Sequence, residues 1–119
     1  MRDGKKTMSK TRIQRDDRTA REFARRLRDT LGTLVQNVYC FGSCAQGLAT
    51  PDSDVDLLVE TGQSIGHQDR NRATDIAVDV SAESGRVLEV HYYSTKELQT
   101  AVDGRSPFVK TVLEEGVIL

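Results

Sequence analysis

The chain has 119 residues, enough for one domain with a modest core and not for a second. It is 37% hydrophobic and 29% charged with a net charge of −1, so the molecule as a whole offers no electrostatic case for binding nucleic acid or an anionic membrane. No apolar run approaches the roughly 20 residues of a membrane span, and no apolar stretch follows the positive N-terminus, so neither a membrane segment nor a secretory signal is expected and a cytoplasmic setting is.

The charge is unevenly placed. Residues 1–18 hold seven Lys or Arg against three Asp, and the rest of the chain holds ten against fifteen acids. The first 16 residues lack aromatics and have few apolar anchors, so 1–16 reads as a flexible basic tail and 17–119 as the folded domain. Cys40 and Cys44 make neither a CxxC zinc pair nor a disulfide framework and read as free thiols.

After the tail, Phe23, Leu27, Leu31 and Leu34 recur at helical spacing with Ala20 and Ala24 beside them, and Asp16 or Asp17 is placed to cap that helix. Residues 37–41 form a short Val-, Tyr- and Phe-rich strand, followed by a glycine-punctuated loop over 42–53. The second strand, 54–59, alternates: Val55, Leu57 and Val59 point one way, Asp54 and Asp56 the other. Residues 69–83 are helical in composition, with Gly85 as a stop. A third strand covers 87–93, Thr95 opens a short helix, and Ser106-Pro107 begins a last one that ends at Gly116. The expected fold is α/β, in the order α-β-β-α-β-α-α, with a small mixed sheet and its helices on one face.

The chemistry is concentrated between Phe41 and Leu57, where a Gly-Ser pair ends one strand and, ten residues later, Asp-x-Asp begins the next. Gly42 permits close backbone approach to a phosphate, and Ser43 adds a hydroxyl donor ahead of amides that form an anion-binding turn. Asp54 and Asp56, two apart on a strand, carry carboxylates to one side about 6.5–7 Å apart at the backbone. That suits two hard divalent cations about 3.5–4 Å apart that share phosphate oxygens.

From Gly42 to Asp56 this segment resembles the signature of minimal nucleotidyltransferases in the DNA polymerase beta-like nucleotidyltransferase superfamily: Gly-Ser, ten residues, Asp-x-Asp. The resemblance extends over about residues 23–119 and takes in the ending Ser106-Pro107-Phe108 through Glu115-Gly116-Val117. It implies Gly42 and Ser43 for nucleotide phosphates, and Asp54 and Asp56 for Mg²⁺, two ions in all. A third carboxylate on a later strand is the family's further metal ligand and activator of the nucleophile. Glu89 occupies that place, where Asp is usual, and Asp79 is a weaker rival read as a helix-surface residue. His91 shares a face with Glu89 but reads as structural, and His67 as solvated.

The resemblance implies transfer of a nucleoside monophosphate, AMP from ATP or another nucleoside triphosphate, to a hydroxyl acceptor. Minimal members rely on a partner chain or a homo-oligomer to complete the site. Some serve as antitoxins that adenylylate a tyrosine of a HEPN-domain toxin. The alternative is a non-catalytic antitoxin or partner-binding module with a degenerate site. Antibiotic modification and templated polymerisation require extra domains or a basic groove, and nucleic acid is not expected as the substrate.

Overall fold

The computed structural model describes residues 17–42 and 53–119; the basic tail 1–16 and the loop 43–52 lie outside the described residues. Helix α1, Arg18–Leu31, begins where Asp17 takes the N-cap: its Oδ1 accepts a hydrogen bond from the Ala20 N–H at 3.0 Å, worth about 1 kcal/mol in typical caps. Ala20, Phe23, Ala24 and Leu27 form the buried stripe that the spacing predicts. The helix stops at Leu31 because Gly32 turns to φ 58°, and Leu34 falls in a short 3-10 turn, Gly32–Leu34, instead of continuing the stripe.

Strand β1, Val35–Phe41, runs antiparallel to β2, Val55–Thr61. Helix α2, His67–Ser84, then crosses over and returns the chain to β3, Leu88–Ser94, parallel to β2. Gly85, left-handed at φ 74°, ends α2 by donating to the Ser81 carbonyl. Helix α3, Thr95–Asp103, starts from a reciprocal capping box in which Ser94 Oγ accepts from the Glu97 N–H and Glu97 Oε1 accepts from the Ser94 N–H. Helix α4, Pro107–Glu115, starts from Ser106, whose hydroxyl accepts from the Val109 N–H. A two-residue strand, β4, Val117–Ile118, pairs with β1, giving the sheet order β3-β2-β1-β4.

The mixed sheet matches expectation, but the helices do not all lie on one face. Val38, Cys40, Val55, Leu57 and Val59 pack with Phe23, Leu27, Ala73 and Val80 from α1 and α2. On the other side, Tyr39 and Leu58 pack with Leu98 of α3 and with Val109 and Val112 of α4. The unbroken run Leu57-Leu58-Val59 is buried because both of its sides are covered. Cys40 is buried within β1 and disulfide-bonded, which corrects the expectation of a free thiol there.

Among the described residues no helix is long and apolar enough to cross a membrane.

Candidate functional site

The site lies where β1 ends and β2 and β3 begin. Gly42, the residue after β1, has φ 73°, and a Cβ built there would lie 2.5 Å from Asp56 Oδ2. Glycine is therefore required twice, by the left-handed backbone and by the carboxylate pressed against it. Ser43, the other expected phosphate contact, lies outside the described residues.

Asp54 sits exposed just before β2, and Asp56 is the second residue of the strand, on the same side. The parallel register places Asp56 directly beside Glu89. That register depends on the main-chain bond from the Val55 N–H to the Val87 carbonyl, at 2.8 Å, which sets the starts of β2 and β3 side by side. Leu88 and Val90 turn toward the α1–α2 core, so Glu89 and His91 are presented to the carboxylate side. His91 Nε2 is 3.9 Å from Glu89 Oε1. Asp79 is exposed on α2, and His67 is exposed at the first position of that helix.

The electrostatics express this crowding. The Asp56 carboxyl is pushed above its ordinary range, first by partial burial and then by the negative charges of Glu89 and Asp54 together with a hydrogen bond to Glu89; His91 acts weakly the other way. No Lys or Arg among the described residues forms an ion pair with Asp54, Asp56 or Glu89. Two carboxyls side by side in register, with a third two residues earlier in the chain, are a donor set of hard oxygens suited to a divalent cation. No group of three or more His, Cys, Asp or Glu among the described residues already has metal-holding geometry.

Arg86, which the sequence reading did not single out, stitches the back of the site together. Its Nε donates to the Ser53 carbonyl at 2.9 Å and its Nη1 to Asp17 Oδ1 at 3.2 Å, with both side chains buried. The residue just before Asp54 is thereby tied to the start of β3 and the cap of α1. No pattern in a single sequence marks such a pairing across 69 positions. The reading also missed three rings that meet on the carboxylate side, those of Phe41, His91 and Phe108.

A groove of about 500 Å³ lies elsewhere, lined by Arg70, Ala77, Val78, Leu88, Val90 and Tyr92 between α2 and the opposite side of β3. It holds none of the acids, and concavity alone does not make it the site.

The sequence pattern of the family described as "Nucleotidyltransferase domain" matches residues 20–119, a span that includes Gly42, Asp54, Asp56 and Glu89. No curated protein matches the chain in sequence. Among solved structures, one described as "Crystal structure of the toxin-antitoxin with AMP-PNP" is similar at 21% identity and a TM-score of 0.46, over 68% of this chain. The match spans 65% of the length of that chain.

Proposed function

Because this chain belongs to the nucleotidyltransferase domain family, we propose that it moves a nucleoside monophosphate, AMP from ATP, to a hydroxyl acceptor with Asp54, Asp56 and Glu89 as its working carboxylates. The observation that carries this reading is the in-register pairing of Asp56 with Glu89, with Asp54 on the same side and no Lys or Arg among the described residues paired to any of the three. Such a concentration of negative charge is stable only if something positive joins it.

Asp54 and Asp56, with Glu89, would hold Mg²⁺. When bound, the metal supplies neutralisation of the triphosphate and alignment of the attacking and departing oxygens. Gly42 keeps the end of β1 close to Asp56 and leaves its main chain open to phosphate oxygens. In the transfer itself, the acceptor oxygen bonds to the α-phosphorus as the bond from that phosphorus to pyrophosphate breaks. Glu89, largely exposed, is placed to take the proton the acceptor hydroxyl gives up.

The acceptor belongs to the same proposal. A hydroxyl delivered by a protein partner, such as a tyrosine of a HEPN-type toxin, fits the family resemblance carried by the segment from Gly42 to Asp56. A second reading is a partner-binding module without turnover, to which Glu89 points because it stands where the resembled family usually has Asp.

Calorimetry with ATP and Mg²⁺ on wild type and on Asp54→Asn/Asp56→Asn tests the proposal. Metal-dependent binding that disappears in the double variant is the expected result. A folded wild type that binds no nucleotide with Mg²⁺ would leave the second reading.

A further inference from the structure

Phe41, His91 and Phe108 come from β1, β3 and α4, and the fold gathers their rings into one cluster. The centroid of Phe41 lies 6.0 Å from that of His91 and 5.4 Å from that of Phe108, and His91 and Phe108 are 5.0 Å apart. Phe41 and Phe108 meet edge to face, at 79° between ring planes. These distances are normal for attractive aromatic pairs. The position of the cluster is less usual.

Phe41 is the cross-strand neighbour of Asp56, and His91 is two residues along β3 from Glu89, on the same side. Phe41 is thus about 4.5–5.5 Å across the strands from Asp56, and His91, two residues along, is roughly 6.5–7 Å from Glu89 at the backbone. These intervals are close to the span of a ribose. Phe41 packs against the buried group of this face, Tyr39, Leu58, Leu98, Val109 and Val112, whereas His91 and Phe108 are not part of that packing and extend the cluster beyond it. Phe108 remains 37% exposed in the first turn of α4, and His91 is exposed to a similar degree. Phe108 thus offers part of its ring to whatever lies beside the cluster.

We propose that Phe41, His91 and Phe108 form a stacking subsite for the base of the nucleotide whose phosphates lie at Asp54, Asp56 and Glu89, with Phe108 as the principal contact. The inference rests on the proposed nucleotidyl transfer and adds where the base goes and how it is held. Stacking on aromatic rings uses the π-face that every base has, and it contributes about 1–3 kcal/mol per base by alanine substitution. The subsite accepts any base, favours purines for their larger face, and reads no hydrogen-bonding edge.

The test separates base from phosphate. Calorimetry with Mg²⁺ compares ATP and inorganic tripolyphosphate on wild type, Phe108→Ala, Phe108→Leu and Phe108→Tyr, with folding checked by thermal melting. Phe108→Ala should weaken ATP by about 5- to 150-fold and leave tripolyphosphate unchanged. Phe108→Leu keeps apolar volume without a ring and should behave like the alanine variant; Phe108→Tyr should bind as wild type. ATP binding that survives in a folded Phe108→Leu overturns the subsite, and so does an equal loss of both ligands. Wild type binding tripolyphosphate as tightly as ATP overturns it while the phosphate site stands. Wild type binding neither ligand overturns the site itself, and this inference with it.

Discussion

Asp17 and Asp56 both bring a carboxylate into the body of the protein, and their neighbours treat them in opposite ways. Asp17 is fully enclosed, and its Oδ1 accepts from the Ala20 N–H at 3.0 Å and from the Arg86 guanidinium at 3.2 Å. Asp56 faces Glu89 and Asp54, acids like itself, which together with burial raise its affinity for a proton. Glu60, four residues along the same side of β2, shows that the sheet can satisfy an acid there: it accepts from the Asn37 amide at 2.9 Å and the Thr95 hydroxyl at 2.7 Å. The first arrangement spends its charge on holding the fold. The second gathers like charge that no Lys or Arg among the described residues pairs, as a site kept for a ligand would.

The largest effect should come from breaking the buried Asp17–Arg86 ion pair. Arg86→Met leaves Asp17 buried without its counter-ion and should cost about 3–5 kcal/mol in urea denaturation, a large share of the 5–15 kcal/mol typical of a domain. The double variant Asp17→Asn/Arg86→Met should regain a substantial part of that, because the stranded charge is gone. A loss under about 1 kcal/mol in the single variant would mean that Asp17 is no better settled than Asp56.

These two arrangements also differ in how far the sequence reveals them. The acids of the site are legible because the alternation Asp54-Val55-Asp56-Leu57 sets both carboxylates on one side, and Leu88-Glu89-Val90 repeats that signal on β3. Asp17 is legible as a cap, since capping is a local matter. Its ion pair with Arg86 is not, because the pair closes across 69 residues and only the packed fold brings the two together. The same reason hides the meeting of Phe41, His91 and Phe108. The second helical layer was missed although Leu57-Leu58-Val59 hints at two covered sides; a short apolar run does not say which helix covers it. β4 was missed because two residues are too few to show a period.

An intermediate effect should come from bringing bulk to the unsatisfied set. Gly42→Ala places a Cβ against Asp56 Oδ2 and forces a left-handed backbone on a side chain, at a cost of about 1–2 kcal/mol in stability. Binding of Mg²⁺ and ATP should fall by at least about tenfold, more than the stability change alone implies, because the residue that moves is the proposed metal ligand. Calorimetry and denaturation on the same sample check this. Unchanged binding would separate Gly42 from the carboxylates functionally.

The smallest effect has the opposite sign. Because the Asp56 carboxyl is raised in the folded protein, its ionisation costs stability once the pH rises past its ordinary 3.8, and the cost is complete above its folded value. Asp56→Asn removes that cost, so the melting temperature at pH 7 without metal should rise by on the order of 2–4 °C, and the gain should vanish below about pH 4. A fall at pH 7 would place Asp56 with Asp17 among the acids that support the fold.

In the described sheet β3 is an outer strand, with β2 on one side only. Such a strand leaves a row of main-chain donors and acceptors on which another chain can zip, the first step toward aggregation, and charged side chains are a common guard against it. β3 is otherwise apolar or aromatic through Leu88, Val90, Tyr92 and Tyr93, and Val87 just before it is 59% exposed. Glu89 is the one acid within it. The carboxylate proposed to serve a nucleotide is thus also the one acid guarding this edge, and its removal puts solubility at stake along with the proposed chemistry.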